Sequence, residues 1–434
     1  MIIQFKVKNF RSFKNEEILN FATSSKITTL PSHEHKIIKN LSVVKYGGIF
    51  GSCGFGKSTT LMALLSFINY IKFGIVDQNL SFSGCESDPT IFELVFEINN
   101  DIYSYSYSIK NEVKTKPVQI LDEKLCILKS NGSISVVYSK DGGMKDTKNE
   151  FMLNYAKKYT DEFGRLFLSY MAAEDRFVEN DNTSLIFKNV FNYITRNIRI
   201  ITNEAEMIFS VNEMSISAIK DRLKKYDVGI ENVDFDLIDD EEKKNLGEQQ
   251  IYKEAYARLV KNKNGIYYVL FGGNIYQLKY LELEPEIKKL LFIHKGIKEK
   301  FSYGRESDGT KRILCLICTL FCERKDNYSI FIDEIERSCH PTIAPEIIRD
   351  FQKTNAGKKS QFVFTSHMNQ LMNSCLRKDE IFLVDKDALG LSHIISLMEY
   401  RTTTRENVSK NYQEGRYGAV PKIRFEVRAN DSSN

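Results

Sequence analysis

The stretch Gly51-Ser52-Cys53-Gly54-Phe55-Gly56-Lys57-Ser58 decides how the rest of the chain is read. It fits G-x-x-x-x-G-K-[ST], a loop whose glycines let the backbone curl until several N–H groups face one anion. The setting this motif requires is present on both sides. Residues 43–50 read as a short buried strand, and residues 59–65, free of Gly and Pro, read as a helix. The start of that helix adds its positive dipole end to the site. The expected ligands are ATP and Mg²⁺. Gly51, Cys53, Gly54, Phe55, Gly56 and Thr59 form the cradle, Lys57 reaches the β- and γ-phosphates, and Ser58 holds the metal.

The bulk numbers bound the rest. A chain of 434 residues predicts two or three lobes rather than one core. Hydrophobic content of 42% with 12% aromatic is ordinary for a globular protein in water. The net charge of +4 neither excludes nor demands nucleic acid. No apolar run is long enough for a membrane span, and the first residues lack a signal peptide's layout. The expected compartment is the cytoplasm, where eight cysteines stay reduced. Cys315, Cys318 and Cys322 sit among Ile313, Leu314, Leu316 and Ile317, which reads as a buried helix using Cys as a small hydrophobe.

Outward from the glycine loop, Ile3, Phe5 and Val7 alternate with Gln4, Lys6 and Lys8, the pattern of a strand. Asn9-Phe10-Arg11-Ser12-Phe13 turns the chain into a second strand at 17–21. His33 and His35 fall in a polar stretch and read as solvated loop residues. Residues 90–98 and 102–109 read as a hairpin, extended by strands at 120–128 and 133–138. Its alternate tyrosines fit a half-exposed amphipathic strand better than a base-stacking face. Helical patterns cover 166–173, 184–201, 215–226 and 249–261. The acidic residues 234–245 read as a surface loop or short insertion, and 267–271 with 274–278 as a hairpin across Gly272-Gly273. No sustained heptads predict a long coiled coil.

Past residue 300 the chemistry returns. Ser329-Ile330-Phe331-Ile332-Asp333-Glu334 is an apolar strand ending in two acids, the place where α/β sheets put catalytic groups. Asp333 would hold the Mg²⁺ water shell, and Glu334 would orient or deprotonate an attacking water. The strand at 361–366 ends in His367, placed to sense a γ-phosphate. Glu306-Ser307-Asp308-Gly309-Thr310-Lys311-Arg312 precedes the Cys-rich helix; read alone it is an ordinary helix start, and the alternative reading of its open first turn is a second anion site.

In the chain's order, Asn9–Phe13, Gly51–Ser58, Ser307-Asp308-Gly309, Asp333-Glu334, Ser338-Cys339-His340-Pro341 and His367 resemble the motifs of ABC-type ATPase heads of the SMC/RecF/OLD group. Glu306–Arg312, residues 223–230 and Gly415-Arg416-Tyr417-Gly418-Ala419-Val420-Pro421 resemble the stand-alone bacterial AAA15, or abortive-infection, branch. The resemblance implies an α/β fold: a P-loop ABC-type ATPase head with an N-terminal antiparallel β lobe and a mainly helical insertion. It implies lobe I over 1–150, the insertion over 151–295, and lobe II with a basic tail over 296–434. Arg11 would join the nucleotide-binding residues. Ser307 and Gly309 would touch the γ-phosphate held by a second copy, so a homodimer would sandwich two nucleotides. His367 would be the switch histidine beside the catalytic Glu334. The chain departs from the group's pattern at Cys53, where relatives often carry Asn, and offers only Gln78 as the metal-contacting Gln between lobes. No nuclease signature follows His367. The function implied is an ATP-hydrolysing, nucleotide-gated dimer that controls a toxin or nuclease effector in phage defence. The alternative is a RecF-like ATPase that clamps DNA, with the tail's Arg401, Arg405, Arg416 and residues 422–428 on phosphates.

Overall fold

The computed structural model describes residues 1–76, 80–110, 118–129, 132–140, 143–144, 162–173, 182–202, 216–261, 265–281, 284–321, 327–403 and 406–421. The chain opens with strands Ile2–Lys8 (β1), Glu17–Asn20 (β2), Glu34–Ile38 (β3), Leu41–Val44 (β4) and Tyr46–Phe50 (β5), then the glycine loop and helix Lys57–Phe73 (α1). Strands Thr90–Ile98 (β6), Asp101–Lys110 (β7), Gln119–Leu128 (β8), Ile134–Ser139 (β9) and Gly143–Met144 (β10) follow. Helices Phe167–Ala173 (α2) and Asn182–Asn192 (α3) lead into strand Ile198–Ile201 (β11). The middle of the chain holds helix Ile216–Lys225 (α4), strand Ile230–Leu237 (β12), helices Asp240–Gly247 (α5) and Gln250–Lys261 (α6), and strands Ile266–Phe271 (β13), Asn274–Leu281 (β14), Glu284–His294 (β15) and Lys300–Ser302 (β16). Helix Asp308–Phe321 (α7), strand Tyr328–Ile332 (β17), helix Ile343–Thr354 (α8) and strands Ser360–Ser366 (β18), Ile381–Lys386 (β19) and Ser392–Ser396 (β20) complete the site-bearing part.

A six-stranded sheet of order β11-β17-β18-β5-β19-β20 divides the molecule. Every pair in it is parallel except β19 with β20. Its strands are buried on both faces, so successive residues feed two different cores. Tyr328, Ile330 and Ile332 of β17 join Phe362, Phe364, Ile381 and Leu383 in the core under α7 and α8. Phe331, Val363, Phe382 and Val384 point the other way, into a core shared with α1 and the antiparallel lobe. Gly47 and Gly48 are part of this packing. A Cβ on Gly48 would lie 2.5 Å from the Phe50 ring and 2.6 Å from Leu376. The fold class is the α/β one expected, with an antiparallel β lobe on one side; the middle of the chain, expected to be mainly helical, carries strands β12–β15 beside its helices.

That lobe is a seven-stranded sheet of order β10-β9-β8-β7-β6-β1-β2. The β6–β7 hairpin turns on Asn99 and Asn100, both left-handed at φ 53° and 72°, the geometry of the tightest hairpin turn. The β7 strand is amphipathic, as expected: Tyr105 and Tyr107 are buried against α1, with Tyr107 stacked on Phe67 at 5.3 Å, Tyr103 is buried beside Phe96, and the intervening serines face outward.

Several local expectations change. His33 is buried, 3.1 Å from Glu380, because the loop it ends packs under β5 beside Tyr46. The helix expected over 184–201 stops at Asn192; a π-turn, Tyr193–Asn197, follows, and β-branched Ile198, Ile200 and Ile201 join the sheet edge as β11. The acidic 234–245 segment is the end of β12 and α5, not a loop. Asp239 caps α5 by accepting from Glu242 N at 2.8 Å, and acids in its first turn suit the helix dipole. The hairpin across Gly272-Gly273 is present, and belongs to a sheet of order β12-β15-β14-β13 covered by α5 and α6. Gln78, Cys322, Arg405 and residues 422–428 lie outside the described residues.

Glu123 ties this lobe to α2. Fully buried, it accepts from the N–H groups of Phe167 and Leu168 at 2.8 and 2.9 Å and from the Tyr105 hydroxyl at 2.7 Å. Burial pushes its pKa up from 4.5 to about 7, against the lowering pull of those donors. Between these values the folded protein holds a proton that the unfolded chain has released, so stability from this group declines as pH rises through the window. Thermal melts from pH 5 to 8 should show a steeper loss in wild type than in Glu123→Gln, by up to about 3 kcal/mol. Parallel pH profiles would remove Glu123 as the source.

Candidate functional site

Three neighbouring parallel strands bring the site together. β5 runs into the glycine loop, β18 into His367, and β17 into Asp333 and Glu334. Parallel pairing puts all three ends at the same, carboxyl edge of the sheet. There a cleft of about 260 Å³ is lined by Ser12, Cys53, Gly54, Gly56, Lys57, Ser58, Thr59, Glu334 and His367.

The loop's shape requires its glycines at two places. Gly54 and Gly56 have φ of 76° and 115°, where L side chains are strained. A Cβ on Gly56 would also approach Ser392 Oγ to 3.0 Å and Ser12 Oγ to 3.2 Å. The loop is braced from outside. Ser52 donates from both its N–H and its hydroxyl to Ala419 O, at 3.1 and 3.2 Å, and Lys386 Nζ donates to Gly54 O at 3.2 Å. The Gly415–Pro421 stretch thus acts as a buttress for the phosphate loop.

Lys57 lies buried at the start of α1, donating to Gly51 O at 2.8 Å and Ser52 O at 3.1 Å, with His367 Nδ1 3.4 Å away. Burial pushes its pKa down, while Cys53, Glu334, Glu336 and Asp333 pull it back. A desolvated cation beside acids gains from any further anion brought to it. His367 Nε2 stands 3.9 Å from Glu334 Oε1, and Cys53 Sγ lies 3.9 Å from both ring nitrogens of His367. The His367 N–H donates to Glu336 Oε1 at 2.6 Å.

The acidic pair is held rigidly. Thr365, the penultimate residue of β18, donates its hydroxyl to Asp333 Oδ1 at 2.6 Å and accepts from Glu334 N at 2.8 Å. Arg312 of α7, 1% exposed, donates from Nη2 to the carbonyls of Asp333 and Glu334 at 2.9 and 2.8 Å. Glu334 is itself left-handed at φ 48°, an uncommon conformation that these bonds over-determine.

The groups present fit ATP and Mg²⁺. A glycine cradle opens onto a helix start, a lysine reaches into the cleft, and the oxygens of Ser58 and Asp333 are hard donors of the kind Mg²⁺ takes. Ser12 Oγ is buried beside the cradle with no hydrogen-bond partner.

Other expected site residues stand apart from the cleft. Arg11 is left-handed at φ 48°, with its guanidinium against Met62 and Phe10. Gly51 O receives Lys57, and a Cβ on Gly51 would sit 2.4 Å from Val384 O; Phe55 N donates to Ser52 O at 3.3 Å within the loop. Ser307 caps α7 through Thr310 N at 3.1 Å, and Gly309 packs so closely on Ser338 that a Cβ would reach its carbonyl at 2.8 Å. This start of α7 is joined to the middle sheet by Gly304 N donating to Gly273 O at 2.6 Å and by His294 Nε2 beside Glu306 at 2.9 Å.

The motif reading missed Thr365, Arg312, Glu336 and Lys386. Thr365 directly precedes Ser366-His367, so the β18 alternation carried a signal; Arg312 carried none, since a charge inside an apolar helix normally faces solvent.

A family model described as "AAA domain, putative AbiEii toxin, Type IV TA system" matches residues 48–373. Among solved structures, the SMC head domain from Thermotoga maritima is 13% identical, with 91% of this chain and 98% of that one covered and a TM-score of 0.35. An SmcHead bound to the C-winged helix domain of ScpA is 11% identical, with 91% and 96% covered and a TM-score of 0.41. No curated protein matches the chain.

Cys53 is exposed at the mouth of the cleft, whereas Cys126, Cys315, Cys318 and Cys375 are buried. Brief alkylation followed by peptide mass spectrometry should modify Cys53 well ahead of those four. Bound ATP should slow its labelling at least about tenfold. Equal labelling with and without nucleotide would place the ligand elsewhere.

Proposed function

Since this chain belongs to the family described as AAA domain, putative AbiEii toxin, Type IV TA system, we propose that it is a Mg²⁺-dependent ATP hydrolase working as a nucleotide-gated homodimer. The observation that carries the reading is the meeting of Lys57, Ser58, Glu334 and His367 around one glycine-lined cleft. Lys57 takes the β- and γ-phosphate oxygens, exchanging the carbonyls of Gly51 and Ser52 for a stronger acceptor. Glu334 accepts the proton of the attacking water as its oxygen bonds to the γ-phosphorus and the bond to ADP breaks. His367, beside both Lys57 and Glu334, donates to the transferred phosphoryl group. Ser58 and Asp333 would hold Mg²⁺, which offsets charge on the β- and γ-oxygens when bound.

Ser307 and Gly309 complete the pocket of a second copy. The open first turn of α7 supplies donors for the γ-phosphate there. ATP favours the closed pair because only that pair touches it from both sides, and hydrolysis releases it. The output is control of a partner effector, a toxin or nuclease, in defence against infection. What supports this step is the family description with its toxin wording, together with the branch-like Gly415–Pro421 stretch. Affinity capture of the native complex, with identification of the bound protein, tests it.

Lys57→Ala should lose ATP binding in calorimetry. Glu334→Gln should keep binding, lose about 10² to 10³ in turnover and accumulate an ATP-dependent dimer in light scattering. Ser307→Arg should bind ATP yet remain monomeric. Wild-type turnover in Glu334→Gln would end its role as the base.

A further inference from the structure

A second cavity, of about 380 Å³, lies between the later turns of α1 and the edge strand β11. Lys72, on its rim, is fifteen residues beyond Lys57 on the same helix, about 22 Å along the axis. Leu65, Ile68 and Ile198 make an apolar floor, and Lys72, Arg196 and Arg199 stand around it. Arg258 of α6 adds a charge close enough to act on Lys72: after burial, Arg199, Arg258 and Arg196 push the pKa of that lysine down. Among the described residues, no carboxylate forms an ion pair with Lys72, Arg196 or Arg258. Arg196 projects from the π-turn Tyr193–Asn197, a rare backbone form that recurs at functional sites.

Like charges gathered over an apolar floor repel one another and are poorly hydrated on that side. An anion of several charges offsets this better than one carboxylate does. Guanidinium forks match phosphate oxygens, and an apolar floor suits the face of a sugar or base. The volume is that of a small-ligand site. We propose that this cavity is a second anion site that takes a phosphate-bearing ligand, with phosphates on Lys72 and Arg196 and an apolar moiety on the floor. Its source is either a nucleic-acid strand or a free oligophosphate. The site is independent of the glycine-loop cleft.

The test uses the full chain and two probes: tripolyphosphate by calorimetry, and a fluorescein-labelled single-stranded oligonucleotide by anisotropy over a salt series. The double variant Lys72→Gln/Arg196→Gln should bind the preferred probe at least about tenfold more weakly. If that probe is the oligonucleotide, the log–log salt slope should fall by about two. Tripolyphosphate also fits the glycine loop, so every protein in that titration carries Lys57→Ala, which leaves only binding at this cavity to be read. Oligonucleotide binding lost in the double variant identifies nucleic acid as the source; tripolyphosphate binding alone lost identifies a free oligophosphate. A double variant that holds both probes as wild type does, or a wild type that holds neither, overturns the proposal. Should the double variant fail to melt cooperatively, Arg258→Gln, on an exposed helix face away from the floor, should still weaken binding about threefold. Unchanged binding there overturns it equally.

Discussion

The whole arrangement depends on the parallel pairing of β5, β18 and β17. Phe50 lies opposite Ser366, and Phe364 opposite Ile332, so three separate stretches of chain end level with one another. A one-residue slip of β18 would exchange its two faces. Phe362 and Phe364 would leave the α7–α8 core, and Thr365 would turn away from Asp333. Packing on both faces therefore fixes the register, and the register fixes where the histidine and the acids stand. The chemistry of the edge follows from the hydrophobicity of the strands beneath it.

Rigidity at that edge comes from charges placed where they are costly to leave unpaired. Arg312 is surrounded by apolar neighbours of α7, and its guanidinium finds the two carbonyls of the acidic turn. Removing such a donor would leave buried carbonyl groups unsatisfied. The same side chain begins one turn after Ser307. The helix start proposed to meet a second copy and the turn carrying Glu334 are thus parts of one bonded unit. A shift of α7 would either break these two bonds or carry the acids with it.

Much of this was legible in the chain. The glycine loop carries its own strand and helix, β17 ends in its acids, and the Asn-Asn and Gly-Gly turns announce their hairpins. These are local signals, set by backbone freedom and by period-two patterning. Long-range contacts were not legible. His33 lies next to Glu380 more than three hundred residues away, and nothing near His33 in sequence marks it for burial. The isoleucines of β11 fit a helix face as well as a strand; only the vacant edge of β17 decides between them. Arg11 is a different case. Its motif was recognisable, yet its guanidinium lies against Met62 and Phe10, while the neighbouring Ser12 lines the cleft.

The Gly273–Gly304 contact has one more consequence. Two backbones meet there without side chains between them, and a methyl group on Gly304 would come within 2.9 Å of the Gly273 carbonyl. The middle sheet therefore rests directly on the segment leading into α7, with no compliant side chain to absorb displacement. A ligand or protein that tilts this sheet would push on that segment as a rod pushes on a latch. The outer surface of the sheet can therefore change in sequence while this backbone-on-backbone contact stays as it is.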